Sequence, residues 1–227
     1  MQTKLLAAGV QIAAGPPKLF KKALAKKRSD MTTKVHFDSY GCFTSIIAST
    51  IEPYPKEGFG FLGGKTSHKI RYHKSSKDII IQAAYPLQTA KRKEDKVEFK
   101  DLKSFKRTRN LLNCLGFDII GEYHSHPKEN LLKITKDDID HDIEEIKELK
   151  KENLAISFKW MDLIIGINRK RYKTNFGEQS EWIKDKNKIK GTVRDRKFGY
   201  KFEITGYLFD INNPKKYDEA NLFLPSK

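Results

Sequence analysis

Short apolar runs alternate along the chain with longer segments that have a helical pattern. The runs predict β-strands at residues 34–37, 59–62, 69–72, 78–84, 117–126, 158–167 and 200–209. Three helices are predicted, at residues 43–51, at residues 100–115, and from Thr135 through the repeat of Ile139, Ile143, Ile146 and Leu149. Because strands and helices interleave, the pattern predicts an α/β or α+β sandwich built around one mixed β-sheet flanked by helices.

Two segments have no clear apolar period. Residues 89–96 are charged and are predicted to form a loop. Residues 169–197 are basic and rich in turn-forming residues, so they are predicted to be irregular.

The first 30 residues differ from the rest of the chain. They hold seven basic residues and one acid, and a Gly-Pro-Pro sequence at residues 15–17 interrupts any helix. We therefore predict a basic, disordered leader over residues 1–30 and one folded domain over residues 31–227. A targeting presequence is the alternative, although serine is scarce there and the small-residue cleavage signal is poor.

Composition narrows the class of protein. Hydrophobic residues make up 38% of the 227 residues and charged residues 33%, which is typical of a globular protein with a charged surface. No apolar run approaches the roughly 20 residues that span a bilayer, so no membrane partner is expected. The two cysteines, Cys42 and Cys114, are far apart in the sequence, which favours a reducing, cytoplasmic setting.

The formal net charge of +16 raises nucleic acid as a partner. However, the lysines are spread along the chain, without a regular aromatic interleave or a known nucleic-acid-binding motif. We therefore interpret the charge as a solvated, lysine-rich surface and rank nucleic-acid binding low. The oligomeric state cannot be predicted from this pattern.

Candidate metal chemistry lies in residues 121–127, Gly-Glu-Tyr-His-Ser-His-Pro. Side chains alternate along a strand, so His124 and His126 point to the same face and can bind one cation together. Pro127 ends the hydrogen-bond ladder of the strand. Glu122 shares this face, and we interpret it as an exposed strand acid. A His-x-His pair alone is a weak signal, because most such pairs are ordinary surface residues.

Two further segments supply the residue types that a metal hydrolase needs. Thr135 is placed to cap a helix, and an aspartate of its first turn, Asp137 or Asp138, can point back at a metal. Two histidines and one carboxylate leave a fourth position on zinc open, as catalytic sites do. Upstream, Glu57 precedes a glycine-rich apolar strand and is a candidate general base.

Together the three segments resemble the JAMM (MPN+, Mov34/JAB) zinc metalloprotease family. The family pattern is Pro-x-Glu-x-x-Gly-x-Leu-x-Gly, then His-Ser-His-Pro, then Ser-x-x-Asp. The matching positions are Pro55, Glu57, Gly60, Leu62, Gly64, His124, Ser125, His126, Pro127, Thr135 and Asp138. Threonine replaces the usual serine and keeps the hydroxyl. The loop before it is one residue longer than usual, and the usual spacing would select Asp137 and place Ile134 at the serine position, so Asp137 is the fallback ligand.

The resemblance implies a fold and a reaction. The fold would be the JAMM/MPN sandwich, which is similar to that of cytidine deaminase. One Zn²⁺ per chain would be held by His124, His126 and Asp138. Glu57 would take a proton from the attacking water and return it to the leaving amine, while the Thr135 hydroxyl would help to hold the oxyanion.

The resemblance also implies the substrate class. The enzyme would be a metalloprotease that cleaves a peptide or isopeptide bond at the C-terminus of ubiquitin, a ubiquitin-like protein or a sulfur-carrier protein. Residues 65–99 and 169–197 are similar in position to the family's variable insertions, which contact substrate. A catalytically silent scaffold of the same family is the alternative.

Overall fold

The helices and strands form largely where the apolar pattern predicts them. The computed structural model describes residues 33–66, 78–87, 90–92, 97–99, 102–128, 133–151, 156–173 and 177–225. The predicted leader and the strand predicted at residues 69–72 lie outside this described part. The other six predicted strands and the three predicted helices are confirmed, with bounds that shift by a few residues.

The described residues contain twelve strands and three helices. The strands are β1 Lys34–Phe37, β2 Phe59–Thr66, β3 Ile79–Pro86, β4 Ala90–Arg92, β5 Val97–Phe99, β6 Asp118–Pro127, β7 Ile156–Arg171, β8 Gln179–Asp185, β9 Lys188–Asp195, β10 Phe198–Asp210, β11 Tyr217–Glu219 and β12 Asn221–Phe223. The helices are α1 Tyr40–Ile51, α2 Leu102–Cys114 and α3 Lys136–Lys151. None of these helices is long and apolar enough to cross a membrane.

Ten of the strands form one mixed sheet. Nine follow the order β12-β1-β3-β2-β6-β7-β10-β9-β8, and β11 pairs with β10 outside this path. The pairs β1–β12, β1–β3 and β6–β7 are parallel, and the other pairs are antiparallel. Strands β4 and β5 pair separately, so the loop predicted at residues 89–96 is wrong where β4 forms.

The two ends of this sheet approach each other, so that it nearly closes like a barrel. The backbone N–H of Leu222 in β12 donates to the carbonyl of Asn187, between β8 and β9, at 3.1 Å. Nζ of Lys184 in β8 donates to Oδ1 of Asn221 at 2.6 Å. Register shifts in β2 and β6 mark bulges, which bend a strand and increase the twist that curls a sheet.

This architecture corrects the predicted helix-flanked JAMM/MPN sandwich. Within residues 169–197, predicted to be irregular, the structure has the end of β7 and the strands β8 and β9. Only a few of their residues are apolar, and Trp182, Ile189 and Val193 are among those that pack on the inner core, whereas many others are lysines and arginines. The added strands carry the sheet round toward β12, and a nearly closed sheet replaces the flat layer that the sandwich requires.

The inner face of the curled sheet is packed against α1. This helix contacts β1, β3, β6 and β7, and Phe43 also packs edge-on against Trp182 of β8, with ring centroids 4.8 Å apart. Ser39 caps the helix, because its side chain accepts a hydrogen bond from the N–H of Cys42 at 3.2 Å. The larger apolar core therefore lies inside the sheet.

The outer face of β2, β6 and β7 is covered by α2 and α3. Leu112 of α2 and Ile146 and Leu149 of α3 belong to a second apolar cluster with Trp160 and Phe209 of the sheet. Because side chains alternate along a strand, β6 and β7 present their polar residues to this same outer face. The start of α3 is thereby held against the end of β6, where the candidate site lies.

Candidate metal centre

The two histidines of β6 meet on the outer face, as the alternation predicts. Nε2 of His124 and Nε2 of His126 are 3.0 Å apart, and both side chains are buried. Two imidazole nitrogens at this distance cannot both carry a proton, because two N–H groups would then point at each other. The pair therefore offers at least one lone pair to a neighbouring proton or cation.

The third side chain comes from the first turn of α3. Thr135 and Asp138 cap the helix reciprocally: the N–H of Thr135 donates to Oδ2 of Asp138 at 2.8 Å, and the N–H of Asp138 donates to Oγ1 of Thr135 at 3.2 Å. The other carboxylate oxygen, Oδ1, lies 3.4 Å from Nε2 of His124. The cap thus holds the Asp138 carboxylate over the histidine pair.

These three residues form the group that can hold a metal ion among the described residues. One ligand atom from each of His124, His126 and Asp138 lies within 4.8 Å of the other two. Asp137, the fallback ligand, is an exposed residue of the same helical turn and is not in this group. Asp138, and not Asp137, is therefore the aspartate that lies with the two histidines.

A buried aspartate that the sequence analysis did not select lies behind the site. Oδ1 of Asp162 in β7 is 3.1 Å from Nδ1 of His124, and the Asp162 side chain is fully buried. A carboxylate at Nδ1 favours a proton on that nitrogen, which leaves the lone pair of Nε2 free for a cation. The signal in the sequence was a single acid inside the apolar run at residues 158–167.

Glu122 was predicted to be an exposed strand acid, and this prediction is wrong. Its side chain is buried, and Oε1 lies 3.1 Å from Nε2 of His141 in α3. The curled sheet and α3 together enclose this carboxylate, whereas an isolated strand would leave it in solvent. The negative charge of Glu122 raises the pKa of His141 to about 9, against the opposing effect of burial.

Two more buried acids extend this layer along α3. The indole N–H of Trp160 donates to Oδ1 of Asp142 at 2.7 Å, and Nη1 of Arg109 in α2 donates to Oε1 of Glu145 at 2.7 Å. Burial, together with the neighbouring carboxylates, raises the pKa of Asp142 well above its usual range. Burial and the charge of Glu122 likewise raise the pKa of Glu145, although Arg109 opposes the shift.

The charges at the metal site itself respond to this acidic layer. Burial lowers the pKa of His124, but Asp162 and Asp138 raise it more, so its pKa lies well above 6.5. Burial raises the pKa of Asp138, but its contacts with His124 and Thr135 outweigh burial and hold the pKa below its usual range. Without a metal, the site therefore favours a proton on His124.

The donor set fits a divalent cation. The described carboxylates of Glu122, Asp142 and Asp162 each keep at least one buried oxygen that accepts no hydrogen bond within the described residues. A cation nearby offsets the cost of burying carboxyl oxygens of this kind without a hydrogen-bond donor. Two imidazoles and one carboxylate are ligands that zinc commonly takes, and they leave one position open.

Glu57 lies next to the site along the paired strand. Phe59 of β2 is the partner of His124. The next residues along, Gly58 and Ser125, share two hydrogen bonds. The N–H of Ser125 donates to the carbonyl of Gly58 at 2.9 Å, and the N–H of Gly58 donates to Oγ of Ser125 at 2.7 Å. Continuing this register by one residue places Glu57 opposite His126. The Glu57 side chain is buried.

The start of α3 has one further support. The N–H of Ile134 donates to the hydroxyl of Tyr207 in β10 at 3.4 Å, and this fixes the residue before the helix cap. Thr135 is exposed, and its hydroxyl oxygen accepts the helix N–H while its proton remains available to a ligand. The five predicted site residues thus lie on three neighbouring elements.

Comparisons with known proteins add little to this geometry. No family model matches the sequence, and no curated protein is significantly similar to it. Among solved structures, the chain is similar to the solution structure of protein DSY2949 from Desulfitobacterium hafniense. The TM-score is 0.49 and the sequence identity 15%, over 85% of this chain and 94% of that chain. A likeness of this size bears on neither activity nor substrate.

Proposed function

We propose that this chain is a zinc-dependent hydrolase that cleaves a peptide or isopeptide bond. One observation carries the proposal: His124, His126 and Asp138 bring three ligand atoms within 4.8 Å of one another. The motif resemblance to JAMM metalloproteases supports the choice of reaction, although the fold is not the sandwich of that family.

Zinc fits this donor set better than the hard cations magnesium and calcium, which prefer oxygen ligands. When bound, zinc supplies Lewis acidity and lowers the pKa of a water molecule to about 7. His124 holds its lone pair toward the cation because Asp162 keeps the proton on the other ring nitrogen. Asp138 is held in place by its bonds to the helix cap.

Glu57 and Thr135 act on the substrate in this proposal. Glu57 accepts a proton from the attacking water as the new C–O bond forms, and then gives that proton to the amine as the C–N bond breaks. The Thr135 hydroxyl donates a hydrogen bond to the oxyanion between these two steps. Burial of Glu57 supports this role, because the carboxylate lies one residue before Gly58, which is hydrogen-bonded to Ser125 between the two histidines.

The proposed substrate is the C-terminus of ubiquitin, a ubiquitin-like protein or a sulfur-carrier protein joined to an amine. This substrate class comes from the motif resemblance alone. Enzymes that release such a C-terminus need a water molecule activated at one carbonyl, which is the chemistry that the ligand set supports.

The test combines metal content with turnover. Purified protein, cleared of loosely bound metal, should hold about one zinc per chain by elemental analysis. His124→Ala should lose it, whereas Asp137→Asn, which alters an exposed acid of the same helical turn, should keep it. A preparation without zinc, and without change on His124→Ala, would contradict the metal site.

Turnover is then measured on a panel of ubiquitin-like fusions and conjugates, with and without a chelator. Glu57→Gln should keep zinc and lose cleavage by a factor of at least about 100. Equal cleavage by this variant would show that Glu57 is misassigned. Zinc at full occupancy with no cleavage of any panel member would instead support the catalytically silent scaffold.

A further inference from the structure

An open face of the sheet begins one strand away from His126. The Cα partner of His126 in β7 is Gly166, whose own partner in β10 is Glu203. The same row continues through Lys190 in β9 to Ile183 in β8. Since paired residues point to the same side of a sheet, this row lies on the outer face with the metal centre.

This face holds a groove of about 430 Å³. Its lining includes Gly166, Asn168, Ile183, Lys190, Lys201 and Glu203. Gly166 has no side chain to separate the groove from His126, so a chain lying there can continue into the metal centre. Ile183 is 62% exposed and offers an apolar wall. A groove of this size accommodates a few residues of an extended peptide.

The charge in and around the groove changes with distance from the metal centre. In and beside the row nearest the metal centre, lysines form ion pairs with carboxylates. Nζ of Lys188 lies 2.7 Å from Oε1 of Glu203, and Nζ of Lys190 lies 2.6 Å from Oδ2 of Asp185. The next row contains Lys201, an exposed residue that lines the groove. Among the described residues, Lys201 forms no ion pair with a carboxylate.

The third row ends the face in a cationic platform. Lys170, Gly199 and Arg194 are partners on β7, β10 and β9. The ring of Tyr172 lies against Gly199, where a Cβ atom would meet the ring at 2.6 Å. Nζ of Lys170 and Cζ of Arg194 each lie 5.9 Å from the centre of this ring. The far end thus combines an aromatic surface with two cations.

We infer that this outer face of β7, β10, β9 and β8 binds an extended segment of the substrate polypeptide, with acidic side chains toward Lys201, Lys170 and Arg194. The inference rests on the proposed function only for the position of the scissile bond at the metal centre. Opposite charges at the far end attract an acidic segment, and the apolar wall at Ile183 takes one of its aliphatic side chains.

The carboxylates of the groove favour a polypeptide over a nucleic acid. Glu181 and Glu203 both line it. A polynucleotide carries a negative charge at every repeat and would meet both carboxylates, whereas a polypeptide can place neutral or basic side chains beside them. A peptide therefore fits the mixed lining, and nucleic acid becomes an outcome of the test.

Binding is tested on the full chain with Glu57→Gln, so that cleavage does not interfere. The probe is a fluorescent peptide of about ten residues, long enough to span the face when extended, with glutamates in one half and neutral glycine and leucine residues in the other half. A peptide with lysine in place of glutamate is its control. The acidic peptide should bind, and the double variant Lys170→Glu, Lys201→Glu should weaken it by at least about tenfold.

Lys215→Glu provides the matched control, because Lys215 is an exposed lysine beyond the opposite end of β10. It should change the affinity less than about twofold. The neutral variant Lys201→Gln should give an intermediate loss. Equal loss with Lys215→Glu, or no loss with the double variant, would overturn the inference.

Single-stranded oligothymidylate is tested in the same way. Binding of oligothymidylate tighter than that of the acidic peptide, and lost in the double variant, would overturn the peptide assignment in favour of nucleic acid. Failure of the proposed function can be told apart from failure of this inference. In the first case, the protein lacks zinc and turnover, but the acidic peptide still binds and depends on Lys201. In the second case, the protein turns over substrate, but the double variant leaves KM unchanged. This result would overturn substrate binding at the groove and leave the proposed function intact.

Discussion

The carboxylate of Asp162 lies 3.1 Å from Nδ1 of His124, while Nε2 of the same ring lies 3.4 Å from Asp138. The imidazole of His124 thus lies between the fully buried Asp162 and the half-buried Asp138. A partner at Nδ1 sets the tautomer and orientation of a ligating histidine and increases its basicity. In the proposed function, Asp162 is therefore a positioning residue, which would act on the metal through His124.

The first prediction tests this relationship. Asp162→Asn keeps the shape of the side chain and removes its charge, so the metal should bind about 10-fold to 100-fold more weakly. Zinc affinity is measured by competition with a chromophoric chelator. The free energy of unfolding is measured in parallel without metal, so that a loss of fold is not mistaken for a loss of metal affinity.

The control for Asp162→Asn is Asp140→Asn, which removes a charge from a largely exposed residue of α3. It should leave the zinc affinity within about twofold. An unchanged affinity in Asp162→Asn, or an equal loss in both variants, would contradict the positioning role.

The second prediction concerns pH and His141. Its pKa is raised to about 9, mainly by the charge of Glu122, and an unfolded histidine titrates near 6.5. A raised pKa stabilises the folded state fully below about 6.5, and this contribution is lost as the pH rises through about 9. Because 40% of the His141 side chain is exposed, solvent screening reduces the size of the effect.

The measurement is the free energy of urea unfolding between about pH 6 and pH 10, in the presence of a chelator. The wild type should lose more stability over this range than His141→Gln does. His36→Gln is the control, because burial is the main cause that lowers the pKa of His36, so His36 titrates below the pH range in which folded His141 titrates. Parallel curves for the wild type and His141→Gln would rule out the coupling to Glu122.

The local elements and the grouping of His124, His126 and Asp138 could be predicted from the sequence. Apolar periodicity located the strands and helices, since it depends on one face of each element being buried. The alternation of β6 placed His124 and His126 together, and the family pattern, with Thr135 at its serine position, selected Asp138. These features depend on residues that are neighbours in the chain.

The curling of the sheet and the buried acidic layer could not be predicted in this way. The closure depends on β12 reaching the far edge of the sheet, from Leu222 to Asn187, which no local pattern encodes. Glu122 and Asp162 face α3 only because of how that helix docks on the sheet. Burial of an acid is a tertiary property, and strand alternation alone is compatible with a solvent-exposed face.

The third prediction concerns the buried ion pair of Arg109 and Glu145. Both side chains are largely buried, and Nη1 of Arg109 lies 2.7 Å from Oε1 of Glu145. Arg109→Met leaves Glu145 buried without its partner and close enough to Glu122 to be repelled. This variant should lose about 3 kcal/mol of unfolding free energy, which is typical when one partner of a buried pair is removed.

Chemical denaturation of Arg109→Met and of the double variant Arg109→Met, Glu145→Gln provides the comparison. The second substitution removes the uncompensated charge, so the double variant should recover a large part of the lost stability. Lys106→Met, at an exposed position of α2, is the control for loss of positive charge. A double variant less stable than Arg109→Met would show that packing outweighs charge.

The fourth prediction separates the two roles of Thr135. Its side-chain oxygen caps α3, while its own backbone N–H, which alanine, serine or glycine at this position also supplies, holds Asp138. Thr135→Ala should therefore lose about 1 kcal/mol of unfolding free energy through the missing cap and still bind zinc at full stoichiometry. Thr135→Ser restores the hydroxyl and should recover both stability and turnover.

Turnover measured beside zinc content tells capping from catalysis. If the hydroxyl donates to the oxyanion, Thr135→Ala should lower kcat by about 100-fold, far more than a weakened cap explains, with KM little changed. Thr135→Gly keeps most of the stability of the cap without any side-chain donor, so it should restore stability relative to Thr135→Ala and leave kcat low. Recovery of kcat in Thr135→Gly would assign Thr135 to the helix cap alone, because the cap and not the hydroxyl would then limit the rate.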